Sequence, residues 1–123
     1  MYTYTIYRLE REHRRNKVGL GAYRFNTSFK FELCDKHSCQ QTHPNLREDF
    51  NTMETGYNMY FACHTIPKFK QWFDGLLERA VESGLSIAKY EVKRIVIGHS
   101  NKQCVFDKND IVSKEYITLK QLK

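Results

Sequence analysis

Thr65-Ile66-Pro67-Lys68-Phe69-Lys70-Gln71-Trp72-Phe73-Asp74-Gly75-Leu76-Leu77-Glu78-Arg79-Ala80-Val81-Glu82-Ser83-Gly84 is the stretch that decides the fold. Thr65 is a good N-cap, and Pro67 fits a first helical turn. Ile66, Phe69, Trp72, Phe73, Leu76, Leu77, Ala80 and Val81 recur at helical spacing, with charged residues opposite. Ser83-Gly84 closes the run as a C-cap. One long amphipathic helix over residues 66–82 is therefore expected, its aromatic stripe packed on a sheet.

The flanking residues read as strands. In residues 1–10, Thr3, Thr5, Tyr7 and Leu9 share one face, and Tyr2, Tyr4, Ile6 and Arg8 share the other. Residues 10–17 form a charged connection, and Gly19-Leu20-Gly21 is a turn into an extended segment at 22–25. Residues 28–33 alternate again, and a short helix follows Pro44 over residues 45–50. Residues 57–63 read as a buried strand, 85–97 as one long strand, 103–106 and 115–119 as the last two. Together these give a single α+β domain over residues 1–123. About five or six strands form a mixed or mostly antiparallel sheet on one long helix.

The chain has 123 residues, enough for one domain. Apolar residues make up 41%, too many for a disordered tail. Eight Tyr and eight Phe supply large rings for a small core. No apolar run approaches the roughly 20 residues that span a bilayer. Met1-Tyr2-Thr3-Tyr4-Thr5 lacks the layout of a signal peptide. A cytoplasmic protein with no membrane partner is expected.

The net charge of +6 favours an acidic partner, either nucleic acid or an acidic protein face. Arg8, Arg11, Arg14, Arg15, Lys17 and Arg24 lie near Tyr7, Tyr23 and Phe25 in sequence. That mixture suits phosphate neutralisation and ring stacking. The binding surface expected from it is Arg8, Arg11, Arg14, Arg15, Tyr23 and Arg24. Gly19-Leu20-Gly21 among these bases also suits a bound nucleotide, because glycine lets the backbone approach an anion. No long helix follows it, so it is not a P-loop.

Cys34, Cys39 and His43, with Cys63 or His64, would supply four zinc ligands, but the spacing has no Cys-x-x-Cys pair. No metal is the first expectation. Cys63 and Cys104 read as small core residues. Cys63 and His64 are neighbours on a strand, point to opposite faces, and cannot form a catalytic pair. The exposed edges of a small sheet invite a homodimer.

Tyr7-Arg8-Leu9-Glu10 and Gly19-Leu20-Gly21-Ala22-Tyr23-Arg24 resemble the start of small bacteriophage and prophage proteins. His43-Pro44, Tyr60-Phe61-Ala62-Cys63, Phe69-Lys70-Gln71-Trp72-Phe73 and Ala88-Lys89-Tyr90-Glu91-Val92 match later parts of that pattern. The match departs at Gly21-Ala22, where the pattern has Gly-Pro, and in the Cys-containing stretch 34–42. The resemblance implies a phage-type accessory protein. Taken with the basic cluster, it gives the expectation of binding to a host macromolecule in the host cytoplasm, as by a counter-defence inhibitor. The order of pieces also looks like a reduced ADP-ribosyltransferase-like fold. That likeness implies NAD as cofactor and a catalytic set of Arg8, Tyr60 or His64, and Glu115. Position 113 is Ser, so a paired-Glu form of that site is absent. Binding without catalysis is the favoured reading.

Overall fold

A computed structural model describes residues 2–13, 18–19, 21–22, 43, 49–50 and 59–122. The expectations for residues 23–25, 28–33 and 44–48 lie outside these residues. Within them the chain is mostly β. Its strands are β1 (Tyr4–Arg11), β2 (Met59–Ala62), β3 (Leu85–Val92), β4 (Val96–Ile97), β5 (Cys104–Asp107) and β6 (Ile111–Ile117). Two short helices, α1 (Ile66–Trp72) and α2 (Leu77–Glu82), lie between β2 and β3.

The expected single sheet on one long helix is not what forms. The strands make two antiparallel sheets of three, in the orders β1-β3-β6 and β2-β5-β4. The sheets touch at a bridge where Tyr7 and Cys63 exchange backbone hydrogen bonds of 2.8 Å. The run at 85–97 is two strands in different sheets. A register shift at Glu91/Val92 and the exposed pair Lys93-Arg94 turn the chain from one to the other.

The helix breaks for a local reason. Thr65 caps α1 through a hydroxyl that accepts from the Lys68 N–H at 3.2 Å. The chain then leaves the helix at Phe73 (φ −107°), and Gly75 takes φ +73°, where a side chain is strained. Leu76 restarts it as the N-cap of α2. The apolar spacing survives the break, because Phe69, Trp72, Phe73, Leu76 and Ala80 all enter one cluster with Tyr7, Leu9 and Ile87. Burial sets the stripe, and the four-residue turn keeps it in phase.

A second cluster lies on the other face of the first sheet. Ile6, Ala88, Tyr90 and Val92 meet Ala62, Cys104 and Phe106 of the second sheet. The first sheet is thus covered on both sides, by helices and by the second sheet. That explains why five consecutive β1 residues, Ile6 to Glu10, are buried. Two of those five are Arg8 and Glu10, which must find partners inside the protein.

Phe73→Ala is expected to lower stability by about 3–5 kcal/mol through an unfilled cavity in the helix-side core. Gly75→Ala is expected to lower it by only about 1 kcal/mol, through backbone strain alone. Urea unfolding followed by circular dichroism separates the two.

Candidate functional site

Arg8 and Glu10 sit on the inner face of β1, toward the second sheet. The Arg8 Nε donates to Glu10 Oε2 at 3.0 Å, and both side chains are buried. The Tyr90 hydroxyl lies 2.7 and 2.8 Å from the two carboxylate oxygens and shares its proton with them. From β6, the Tyr116 hydroxyl approaches Glu10 Oε1 at 3.0 Å, and the Lys114 Nζ at 3.4 Å. Lys114 Nζ also donates to the Tyr116 oxygen at 3.0 Å and lies over both phenol rings. The backbone N–H of His13 donates to the Tyr116 oxygen at 2.7 Å. One carboxylate therefore gathers two cations and two phenols from three strands. Burial first, and the Glu10 charge second, hold the Tyr90 phenol far above its ordinary range. Burial, reinforced by Glu10, raises Tyr116 as well.

The rest of the Arg8 guanidinium joins the sheets. One terminal nitrogen donates to the Phe61 carbonyl at 2.8 Å, the other to the Gly19 carbonyl at 3.1 Å. Its centre lies 5.4 Å from the Tyr60 ring and 5.7 Å from the Phe61 ring. Gly19 and Gly21 are small because they lie on β1. A Cβ at Gly19 would run into the Arg11 carbonyl oxygen, and one at Gly21 would come within 2.9 Å of the Arg8 guanidinium. The group these glycines approach is a cation of the protein itself.

The structure brings Arg8 and Tyr60 together but not Arg8 and Glu115. Register pairs Arg8 with Ala88 and Ala88 with Tyr116, whereas Lys89 pairs with Glu115. Directly paired residues share a face, so Arg8 and Glu115 are on opposite faces of the sheet. Glu115 is 65% exposed and 3.7 Å from Lys89. His64 lies elsewhere, before α1, with Nε2 3.1 Å from the Asn101 side-chain oxygen. Its Nδ1 is buried without a partner, and burial pushes its pKa below the ordinary value.

Of the expected basic surface, Arg11 is exposed at the end of β1. Arg14, Arg15, Lys17, Tyr23 and Arg24 lie outside the described residues, as do Cys34 and Cys39. His43 Nε2 is 2.8 Å from the Trp72 carbonyl, and its ring meets the Trp72 ring edge-on at 4.7 Å. Among the described residues no group of three His, Cys, Asp or Glu side chains is placed to hold a metal. Cys63 and Cys104 are buried free thiols, and burial pushes Cys63 up to about 12.

A feature the sequence reading missed lies at the other end of β1. Tyr4, Lys93, Arg94, Phe106, Asp107 and Asp110 line a cleft of about 330 Å³ where the sheets part. Arg94 reaches Asp110 with two bonds of 3.3 Å, from a side chain that is 81% exposed. The signal available in the sequence was the Lys93-Arg94 pair inside an apolar run, which marks a surface turn.

Residues 1–120 match the model of the family described as Bacteriophage T4 Y00F protein. No curated protein and no solved structure matches the chain. The ADP-ribosyltransferase likeness gains nothing from these comparisons. Among the described residues no helix is long and apolar enough to cross a membrane.

Glu10→Gln leaves Arg8 and Lys114 without their buried anion and is expected to cost about 3–5 kcal/mol. The raised phenols give a pH signature. Above pH 10, the ordinary tyrosine value, unfolded Tyr90 and Tyr116 lose protons that the fold retains. The unfolded state then binds fewer protons, so stability falls as pH rises beyond that point. Tyr116→Phe is expected to flatten this alkaline decline. Urea midpoints measured from pH 8 to 11 check it.

Proposed function

The chain belongs to the Bacteriophage T4 Y00F protein family, and from that premise we propose that it acts by binding an acidic host macromolecule, without catalysis. It is a small phage-type accessory protein. The observation that carries the proposal is the division of its charges. The gathered ionisable groups, Arg8, Glu10, Tyr90, Lys114 and Tyr116, are bonded to one another within the fold. A reacting group must be presented to its substrate, and these are not. The net charge of +6 over the chain favours an acidic partner.

The contact surface of this reading is Arg11, Arg14, Arg15, Tyr23 and Arg24. Arg8 moves from contact residue to support, since it holds Gly19 against β1 between the two basic stretches in sequence. Basic groups beside rings suit an acidic protein face, with association steered by charge and weakened by salt. The host cytoplasm is the compartment this reading implies, and a component of host defence is a target that fits a phage accessory protein.

Affinity capture from host lysate, followed by binding to the purified partner it identifies, tests the reading. Arg14→Glu with Arg15→Glu is expected to weaken that binding by about 100-fold or more at low salt. Unchanged affinity in this double variant removes the surface from the account.

A further inference from the structure

The cleft between the sheet ends brings space and unlike chemical groups together. We propose that it binds a single mononucleotide through its phosphate, sugar and base. The cleft is about 330 Å³, at the small end of the roughly 300–1,000 Å³ of small-molecule sites. That is room for one nucleotide.

Its lining divides into three kinds of group. Lys93 and Arg94 are adjacent cations, and Lys93 has no side-chain partner among the described residues. Arg94, whose side chain is 81% exposed, holds the buried Asp110 through Nε and Nη2 at 3.3 Å. A phosphate meets the remaining guanidinium nitrogen together with Lys93, and the Arg94–Asp110 pair stays in place. Tyr4 is 49% exposed at the wall, a ring on which a base can stack. Asp107, half-buried at the rim, is an acceptor for sugar hydroxyls or a base amino group.

The mixture of signs argues against an acidic peptide here. An acidic peptide would set several carboxylates against Asp107 and Asp110, whereas a nucleotide brings one phosphate to the cations and neutral donors to the carboxylates. The rim is also built rather than loose. The Lys93 N–H donates to the Asp110 carbonyl at 2.9 Å, and Asp107 caps the turn before Asp110 by accepting from the Asn109 N–H at 2.8 Å. These bonds fix the cations and the carboxylates on facing sides.

Isothermal titration of the full chain with AMP and with GMP tests the proposal, with ribose 5-phosphate, adenosine and inorganic phosphate as partial probes. One nucleotide is expected to bind per chain with Kd below about 1 mM. Lys93→Ala and Tyr4→Ala are each expected to weaken it by about tenfold. Both residues are exposed, and an unchanged melting temperature shows that the fold is kept. Arg14→Glu with Arg15→Glu is expected to leave it unaltered, so the cleft and the host-binding surface fail separately. Four results overturn the assignment: no saturation by either nucleotide, equal affinity for inorganic phosphate, full binding in the Lys93 and Tyr4 variants, or binding of a single-stranded oligonucleotide alone.

Discussion

A carboxylate buried at Glu10 is the constraint from which the arrangement of the strands follows. An ion moved from water to a protein interior costs several kcal/mol unless charge and hydrogen bonds replace its hydration. Glu10 is wholly buried, so its replacement must be complete. Arg8 comes from its own strand, Tyr90 from β3, and Tyr116 and Lys114 from β6. The observed register places all of these on one face and within reach of Glu10. A shift of β3 or β6 by one residue would move Tyr90 or Tyr116 to the opposite face and leave Glu10 under-satisfied. The network therefore specifies register in a way that the interchangeable apolar residues around it do not.

The same network sets the relation of the two sheets. The sheets share one bridge, Tyr7 to Cys63, which is two backbone bonds. Arg8 adds a third polar tie by reaching the Phe61 carbonyl, next to that bridge. Because Arg8 is itself held by Glu10, the second sheet is oriented by a charge on the first. The remaining attraction is the apolar contact of Ile6, Ala88 and Tyr90 with Ala62, Cys104 and Phe106, which is large but not directional.

Much of this was legible in the sequence, and the part that was not has a common cause. The alternation of β1 and the helical spacing of Phe69, Trp72, Phe73, Leu76 and Ala80 are local patterns, and both are seen. The break at Gly75 was missed because burial preserves the stripe across a turn. The double burial of β1 was missed because Arg8 and Glu10 look like solvated residues, and charged side chains usually are. The partners of Glu10 on β3 and β6 lie 80 and 104 to 106 positions away, beyond any local pattern. In the sequence Gly19 and Gly21 suit a turn and, as an alternative, the approach of an anion. In the fold they make room for the Arg8 guanidinium, and only the tertiary pairing of Gly21 with Glu10 distinguishes the two. The cleft depends on residues from four strands, the connection between β3 and β4 and the turn before β6, so no contiguous stretch announces it.

The two ends of β1 then differ for one reason. Glu10 and Tyr4 are six residues apart, about 20 Å along a strand. At the Glu10 end, charge draws β1, β3 and β6 together and pulls the second sheet against them. At the Tyr4 end nothing equivalent is present among the described residues. The ladder between β3 and β6 slips at Glu91/Val92, the chain leaves for β4 through Lys93 and Arg94, and space opens between the sheets. Closing one end of a short pair of sheets with an internally satisfied charge leaves the other end free to part. The charge network at Glu10 is thus satisfied within the fold, and the cleft lies where that network no longer reaches.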